Sequence, residues 1–198
     1  LTVAGIPNVV DLKVDRVLNG EHTEIIYDVV PTIGTATAQN LTLTGSGATS
    51  NITISASGTD GVENLFVTST GSILGQSALT VAVEDVANAS TLKEFHLAGE
   101  SKLTVVNALN FAGTAVGATV TGTINLADST GGSALTVGAD AENISYTGGS
   151  GNDKITFAAT FTAYDAVDGG DGTDTIALSG ITSFNPVFIS SFLCFNSL

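Results

Sequence analysis

The sequence predicts an all-β chain folded as a parallel β-solenoid (β-helix or β-roll). Three observations predict it. A short apolar–polar–apolar run recurs through most of the 198 residues, bounded each time by Gly, Asn, Asp or Ser. The composition suits short strands and many turns, with 23 Gly, 43% hydrophobic and only 12% charged residues. A Gly-rich nine-residue motif occurs twice, beginning at Gly148 and at Gly169.

Residues 1–38 read differently from the rest. Val9 to Val17 and His22 to Val30 are longer and more charged runs, with Asn19-Gly20 between them and Pro31 after the second. Asn-Gly between two strand-like runs is the strongest short-range hairpin signal. This part is expected to form an N-terminal β-hairpin, as a cap or as the remnant of a preceding domain.

Residues 39–146 are expected to form a Thr-rich β-solenoid. Its runs are Leu41-Thr42-Leu43, Ile52-Thr53-Ile54, Leu65-Phe66-Val67, Val81-Ala82-Val83, Phe95-His96-Leu97, Leu103-Thr104-Val105, Ile124-Asn125-Leu126, Leu135-Thr136-Val137 and Ile144-Ser145-Tyr146. Ile155-Thr156-Phe157 and Ile176-Ala177-Leu178 continue the series through 147–180. Alternation with period two marks a half-buried strand, and Thr suits the outward position. Most runs lie 8 to 15 residues apart, and two intervals of 21 leave room for weakly marked strands near Phe111–Val116 and Tyr164–Val167. No Asn-Gly or Asp-Gly joins neighbouring runs at hairpin spacing, since Asp60-Gly61 sits in a longer loop; this disfavours an antiparallel meander. Short, similar strands that cannot each bury an apolar face alone must stack. Residues 181–198 carry no charge and include Pro186, so they read as an apolar tail, a capping segment rather than a membrane helix.

A net charge of −14, with only Lys13, Arg16, Lys93, Lys102 and Lys154 as strong bases, argues against nucleic acid and against an anionic membrane surface. The single cysteine, Cys194, allows no internal disulfide and no Cys-based zinc site, and reads as a small buried apolar group. The sequence holds no G-x-S-x-G, H-E-x-x-H or G-x-G-x-x-G motif. His22 and His96 lie far apart, and His96 reads as outward-facing or satisfied. Glu84-Asp85 and Asp140/Glu142 read as solvated turns at strand ends rather than as an acid pair, with Asp140 or Glu142 a lesser candidate for a further cation site. No enzyme is expected. The T-x-T pairs Thr42/Thr44 and Thr121/Thr123 suggest an ice-binding array only faintly.

The chemistry concentrates in Gly148-Gly149-Ser150-Gly151-Asn152-Asp153-Lys154-Ile155-Thr156 and in Gly169-Gly170-Asp171-Gly172-Thr173-Asp174-Thr175-Ile176-Ala177, which both match G-G-x-G-x-D-x-U-x. Glycines permit positive φ and tight turns that aim carbonyls inward. The aspartate adds a charged oxygen, and the following Ile enters the core. Carbonyls plus carboxylates, without His or Cys, make a hard-cation site that suits Ca2+ better than Mg2+. Two strand intervals make the same 21 residues that separate the motifs, so the second turn is expected directly above the first. Asp153 and Asp174 then face one cavity, with Asp165, Asp168 and Asp171 adding to the field. Two carboxylates ~4 Å apart repel by roughly 4 kcal/mol at an effective dielectric of about 20. A bound dication reverses that.

The two nonapeptides resemble those of the repeats-in-toxin (RTX) family of type I secreted bacterial proteins. The Thr-rich stretch from Gly61-Val62-Glu63-Asn64-Leu65 through Leu135-Thr136-Val137 is similar in texture to RTX-containing S-layer proteins. The resemblance implies a right-handed parallel β-roll with calcium between turns of successive coils. It implies side-chain ligands from Asp153 and Asp174, and carbonyl ligands from Gly148, Gly149, Ser150, Gly151, Gly169, Gly170, Asp171 and Gly172. Asp168 is a lesser candidate, and Asn152 and Thr173 read as spectators. Phe157 to Asp168 lacks its own motif, so only one edge of the roll is expected to hold an ion, with one shared ion and room for a half-filled second site. The implied function is a calcium-dependent, extracellular, self-assembling cell-surface protein. The alternative is a calcium-folded secretion or adhesion module of an RTX exoprotein. Expected partners are other copies of the chain and cell-surface polysaccharide.

Overall fold

A computed structural model of the chain describes residues 2–6, 9–15, 22–27, 38–44, 50–56, 62–71, 76–84, 90–113, 119–138, 143–158, 161–180, 189–190 and 194–197. The alternating runs become strands, as apolar residues at every second position bury one face of an extended chain. In chain order they are β1 Thr2–Ile6, β2 Leu12–Asp15, β3 His22–Tyr27, β4 Ala38–Thr44, β5 Ser50–Ala56, β6 Asn64–Thr70, β7 Gln76–Glu84, β8 Glu94–Gly99 and β9 Lys102–Leu109. They continue as β10 Gly122–Ser129, β11 Ser133–Val137, β12 Ile144–Thr147, β13 Asp153–Ala158, β14 Ala166–Asp168, β15 Thr175–Ser179, β16 Ile189–Ser190 and β17 Cys194–Ser197.

The odd strands form one nine-stranded sheet in the order β1-β3-β5-β7-β9-β11-β13-β15-β17. The even strands form an eight-stranded sheet, β16-β14-β12-β10-β8-β6-β4-β2. Every pairing is parallel. Each strand therefore pairs with the strand two places along, and its direct successor lies in the other sheet. The chain is all-β with parallel sheets and, among the described residues, has no helix. No helix there is long and apolar enough to cross a membrane.

The core takes residues from both sheets, such as Leu65, Phe95, Ile124 and Tyr146 from even strands and Leu103, Leu135, Ile155 and Ile176 from odd ones. Parallel register stacks them in columns. One runs Leu65–Phe95–Ile124–Tyr146–Val167, another Leu135–Ile155–Ile176. Each fully buried side chain contributes roughly 1.5–3 kcal/mol. The register step varies along the chain, from 22 between β1 and β3 to 26–30 in the middle strands and 19–22 from β10 onward. Asn64 pairs with Glu94 and Leu103 with Ser133, a step of 30 in each case. Later Gly122 pairs with Ile144 (22), Ser133 with Asp153 (20) and Lys154 with Thr175 (21).

All eleven alternating runs from Leu41 onward lie in strands, and the weakly marked Tyr164–Val167 segment gives β14. The other 21-residue interval needs no extra strand, because β9 and β10 already lie in different sheets. Of that segment, 110–113 carries no strand and 114–118 lies outside the described residues.

The expected N-terminal hairpin is not formed. β2 pairs with β4 and β3 pairs with β1 and β5, all parallel, so the two runs belong to different sheets. Stacking on the following strands wins over the local turn signal; Asn19-Gly20 itself lies outside the described residues. The apolar tail also differs from expectation, since β16 and β17 continue both sheets. Thr42 and Thr44 pair with Thr68 and Thr70, a stacking the sequence spacing hid. The array ends there, with Lys13 on one side of Thr42 and Ala98 on the other side of Thr68.

The even-to-odd corner is where backbone packs on backbone. Gly99 has φ +108°, and a Cβ there would lie 2.2 Å from the Ser69 carbonyl oxygen. Gly113 has φ +107° with nothing within 4 Å. Gly113→Ala is expected to cost about 1–2 kcal/mol, the left-handed strain alone. Gly99→Ala is expected to cost about 1–3 kcal/mol more, because the stacked corner must open. Denaturant unfolding of the two variants measures the difference.

Candidate metal centre

The two motif turns occupy 148–152, between β12 and β13, and 169–174, between β14 and β15. Ile155 pairs with Ile176 and Lys154 with Thr175, which sets Asp153 beside Asp174 one step away. The turns bond directly. Gly148 N donates to Asp168 O (2.7 Å) and Asp171 N to Gly149 O (2.9 Å). Thr173 N donates to Asn152 Oδ1 at 2.9 Å.

These contacts explain the glycines, though not in the way the motif suggests. Gly170 and Gly172 take φ +79° and +114°, whereas the first turn's glycines are not in the left-handed region. Gly148 is required by crowding instead, as a Cβ there would sit 1.9 Å from Gly169 O. The turn before, between β10 and β11, stacks on the same pile. Ser150 N donates to Ser129 O at 2.9 Å, and Ser133 pairs with Asp153.

Asp153 and Asp174 are 2% and 1% exposed. Asp153 Oδ2 accepts from Gly149 N at 2.8 Å, and Asp174 Oδ1 accepts from Asp153 N at 2.9 Å. Asp153 Oδ1 and Asp174 Oδ2 are buried with no hydrogen-bond partner. Burial raises the pKa of Asp153, opposed by the Gly149 amide and by Ser133. Burial also raises Asp174, opposed by the Asp153 amide, while the charges of Asp153, Asp168 and Asp171 push it further up. Leaving such an oxygen unpaired costs about 1–3 kcal/mol, more when charged.

Asp165 provides the contrast. It is also buried, 3% exposed, but Oδ1 accepts from Ile144 N (2.7 Å) and Oδ2 from Thr162 N (2.6 Å). Burial raises its pKa and those two amides lower it. It stands at the start of β14, whereas the motif turn follows the end of that strand, so Asp165 closes the opposite edge. The expectation that it adds to the motif's field is corrected, since it lies at the far end of β14 with both oxygens bonded to amides there.

Asp168 and Asp171 are exposed at the rim, and Asp168 Oδ1 accepts from Gly170 N at 3.2 Å. Gly148, Gly149 and Gly169 are buried, Gly151 and Gly170 are half-buried, and Ser150 and Gly172 face solvent. Among the described residues no group of three or more His, Cys, Asp and Glu side chains is placed to hold a metal ion. An ion held by Asp153 and Asp174 therefore needs backbone carbonyls as well. An all-oxygen set of this kind suits a hard cation such as Ca2+.

Sequence reasoning missed Asn152, expected as a spectator, whose side chain ties one turn to the next. It also missed the buried Ser129, Ser133 and Tyr146, whose hydroxyls have no partner. A faint signal existed, as Gly131-Gly132-Ser133 is a degenerate copy of the motif's end. His96 stacks on Phe66 (centroids 4.3 Å apart) with Nε2 3.1 Å from Glu94 Oε2, the satisfied histidine expected. Asp60-Gly61, Asp85, Asp140 and Glu142 lie outside the described residues, as do the side chains of His22 and Glu84.

A carboxyl whose folded-state pKa lies above its ordinary 3.8 binds more protons folded than unfolded. Stability from Asp153 and Asp174 is thus fully present below 3.8 and is lost as pH rises through the raised values. In chelator, the wild-type chain is expected to lose stability from these groups as pH rises from 3.8 towards neutrality. Asp153→Asn is expected to flatten that slope, by about 1.4 kcal/mol per pKa unit removed. Denaturant unfolding across that range measures it. No family model, curated protein or solved structure matches the chain, so what this centre does must be read from its own residues.

Proposed function

We propose that the chain is a β-solenoid of the β-roll type that binds Ca2+ between its glycine turns and serves as a self-assembling structural segment of a secreted, S-layer-type bacterial surface protein. The observation that carries the calcium part is the pair of partnerless buried oxygens, Asp153 Oδ1 and Asp174 Oδ2, one register step apart. Two buried anions side by side destabilise a fold unless a cation compensates them. Asp165 supports the same reading by difference, because it spends both oxygens on amides.

In this reading Asp153 and Asp174 hold the ion with carbonyls drawn from Gly148, Gly149, Ser150, Gly151, Gly169, Gly170, Asp171 and Gly172. Asp168 faces it from the rim. Gly149 O already accepts from Asp171 N, which leaves one lone pair. The ion cross-links neighbouring turns. At 100 times its dissociation constant it adds about 2.7 kcal/mol to stability, a large share of a domain's margin. A chain of this kind stays loose where calcium is scarce and folds outside the cell. The RTX likeness of both nonapeptides and the Thr-rich strands support the surface-protein part, as do two parallel sheets that continue from β1 to β17.

The alternative, a folding module of a secreted or adhesive exoprotein, is favoured by the confinement of the full motif to two turns, 148–152 and 169–174.

Addition of CaCl2 to chelated protein is expected to raise the melting temperature and sharpen the β-sheet circular dichroism signal. Asp174→Asn is expected to weaken that response at least tenfold in calcium concentration. An identical titration for wild type and variant refutes the shared site. In saturating calcium, electron microscopy is expected to show ordered sheets or filaments; a monodisperse monomer by light scattering selects the module reading instead.

A further inference from the structure

We infer that Ser133 and Tyr146 are positioning residues of the same centre, their hydroxyls donating to Asp153 Oδ1 once the ion is bound, so that the cage spans three turns rather than two. The inference rests on the calcium reading above.

The register carries it first. At the even-to-odd corner Leu103 pairs with Ser133, Ser133 with Asp153, and Asp153 lies beside Asp174. That column reads Ser77, Leu103, Ser133, Asp153, so the last hydroxyl stands directly beside the first carboxylate. Ser133 stands where the next two turns have aspartate. Tyr146 points inward from the end of β12, just before the first motif turn.

The burial pattern carries it second. Ser133 and Tyr146 are each 1% exposed. Among the described residues six buried side-chain oxygens lack a partner, and five of them belong to Ser129, Ser133, Tyr146, Asp153 and Asp174. The sixth, on Ser69, lies two turns earlier. Isolated orphans of this kind are uncommon in folded proteins, and a cluster of them marks a place built around something else.

These groups also act on one another. Burial raises the Tyr146 hydroxyl pKa, and the Asp153 and Asp174 charges raise it further. Ser133 is close enough to oppose the shift at both Tyr146 and Asp153, although neither hydroxyl completes a hydrogen bond. With Asp153 Oδ2 fixed by Gly149 N, a hydroxyl donating to Oδ1 sets the carboxylate's remaining rotation and favours its anionic form. Such outer hydrogen bonds tune metal affinity without adding charge.

Calorimetric titration with CaCl2 tests this on wild type, Ser133→Ala, Tyr146→Phe and the control Ser69→Ala, with melting of each in chelator. Both site variants are expected to bind calcium about tenfold more weakly. Their metal-free melting temperature is expected to hold or rise, because a partnerless buried hydroxyl is removed. Ser69→Ala is expected to bind as wild type does. Wild-type affinity in both site variants, or a lower metal-free melting temperature with unchanged affinity, overturns the positioning role and leaves the calcium reading standing. No heat from wild type in saturating CaCl2 overturns both.

Discussion

In-register parallel stacking is the constraint on which everything else in this chain depends. A residue at one register position meets its counterparts about 4.8 Å away in the neighbouring strands. Where the column is apolar, as in Leu135–Ile155–Ile176, repetition deepens the core. Where it is acidic, repetition brings like charges together. Asp153 and Asp174 are thus a direct consequence of the motif's spacing. The same register that packs Ile155 on Ile176 forces the preceding aspartates into one buried place.

The two edges answer the problem of burying polar backbone in different ways. On the odd-to-even edge the groups Thr121, Asn143 and Asp165, each 22 residues apart, bond to neighbouring turns. Thr121 Oγ1 accepts from Asn143 N (3.2 Å), Asn143 Nδ2 donates to Thr119 O (2.9 Å), and Asp165 takes two amides. That edge is closed by the chain's own donors. On the even-to-odd edge the backbone approaches so closely that only glycine fits, as at Gly148 and Gly170. There Asp153 and Asp174 each accept one backbone amide and keep one buried oxygen without a hydrogen-bond partner. In the proposed calcium reading, a cation between the turns compensates those oxygens.

Much of this was legible in the sequence because period-two alternation survives folding unchanged. The runs from Leu41 to Leu178 mark strands correctly, and the 21-residue spacing gives the offset of Ile155 to Ile176. The N-terminal runs were misread because Asn19-Gly20 is a local signal, while the pairing of β2 with β4 depends on residues 29 positions away, as Leu12 to Leu41. The uncharged C-terminal segment hid β17 because its strand is recognisable only by what it stacks on. Ser133 and Tyr146 were invisible for a similar reason. A serine in a Ser-rich chain and a tyrosine in a strand carry no mark until the register sets Ser133 beside Asp153 and burial leaves the Tyr146 hydroxyl without a partner.

The centre lies where register steps of 20 and 21 follow steps of up to 30. In the 30-residue steps the chain reaches the next turn through longer strands and connections, and the corner column holds leucine at Leu103. From Ser133 onward the step falls to 20 or 21, and oxygen replaces hydrocarbon at that column. Glycine corners in direct backbone contact occur in both kinds of step, with Gly99 on Ser69 across 30 residues and Gly148 on Gly169 across 21. What sets the later turns apart is the buried aspartate pair, not the close backbone contact. In the proposed calcium reading, the ion therefore acts on these turns rather than on the Thr-rich strands before them.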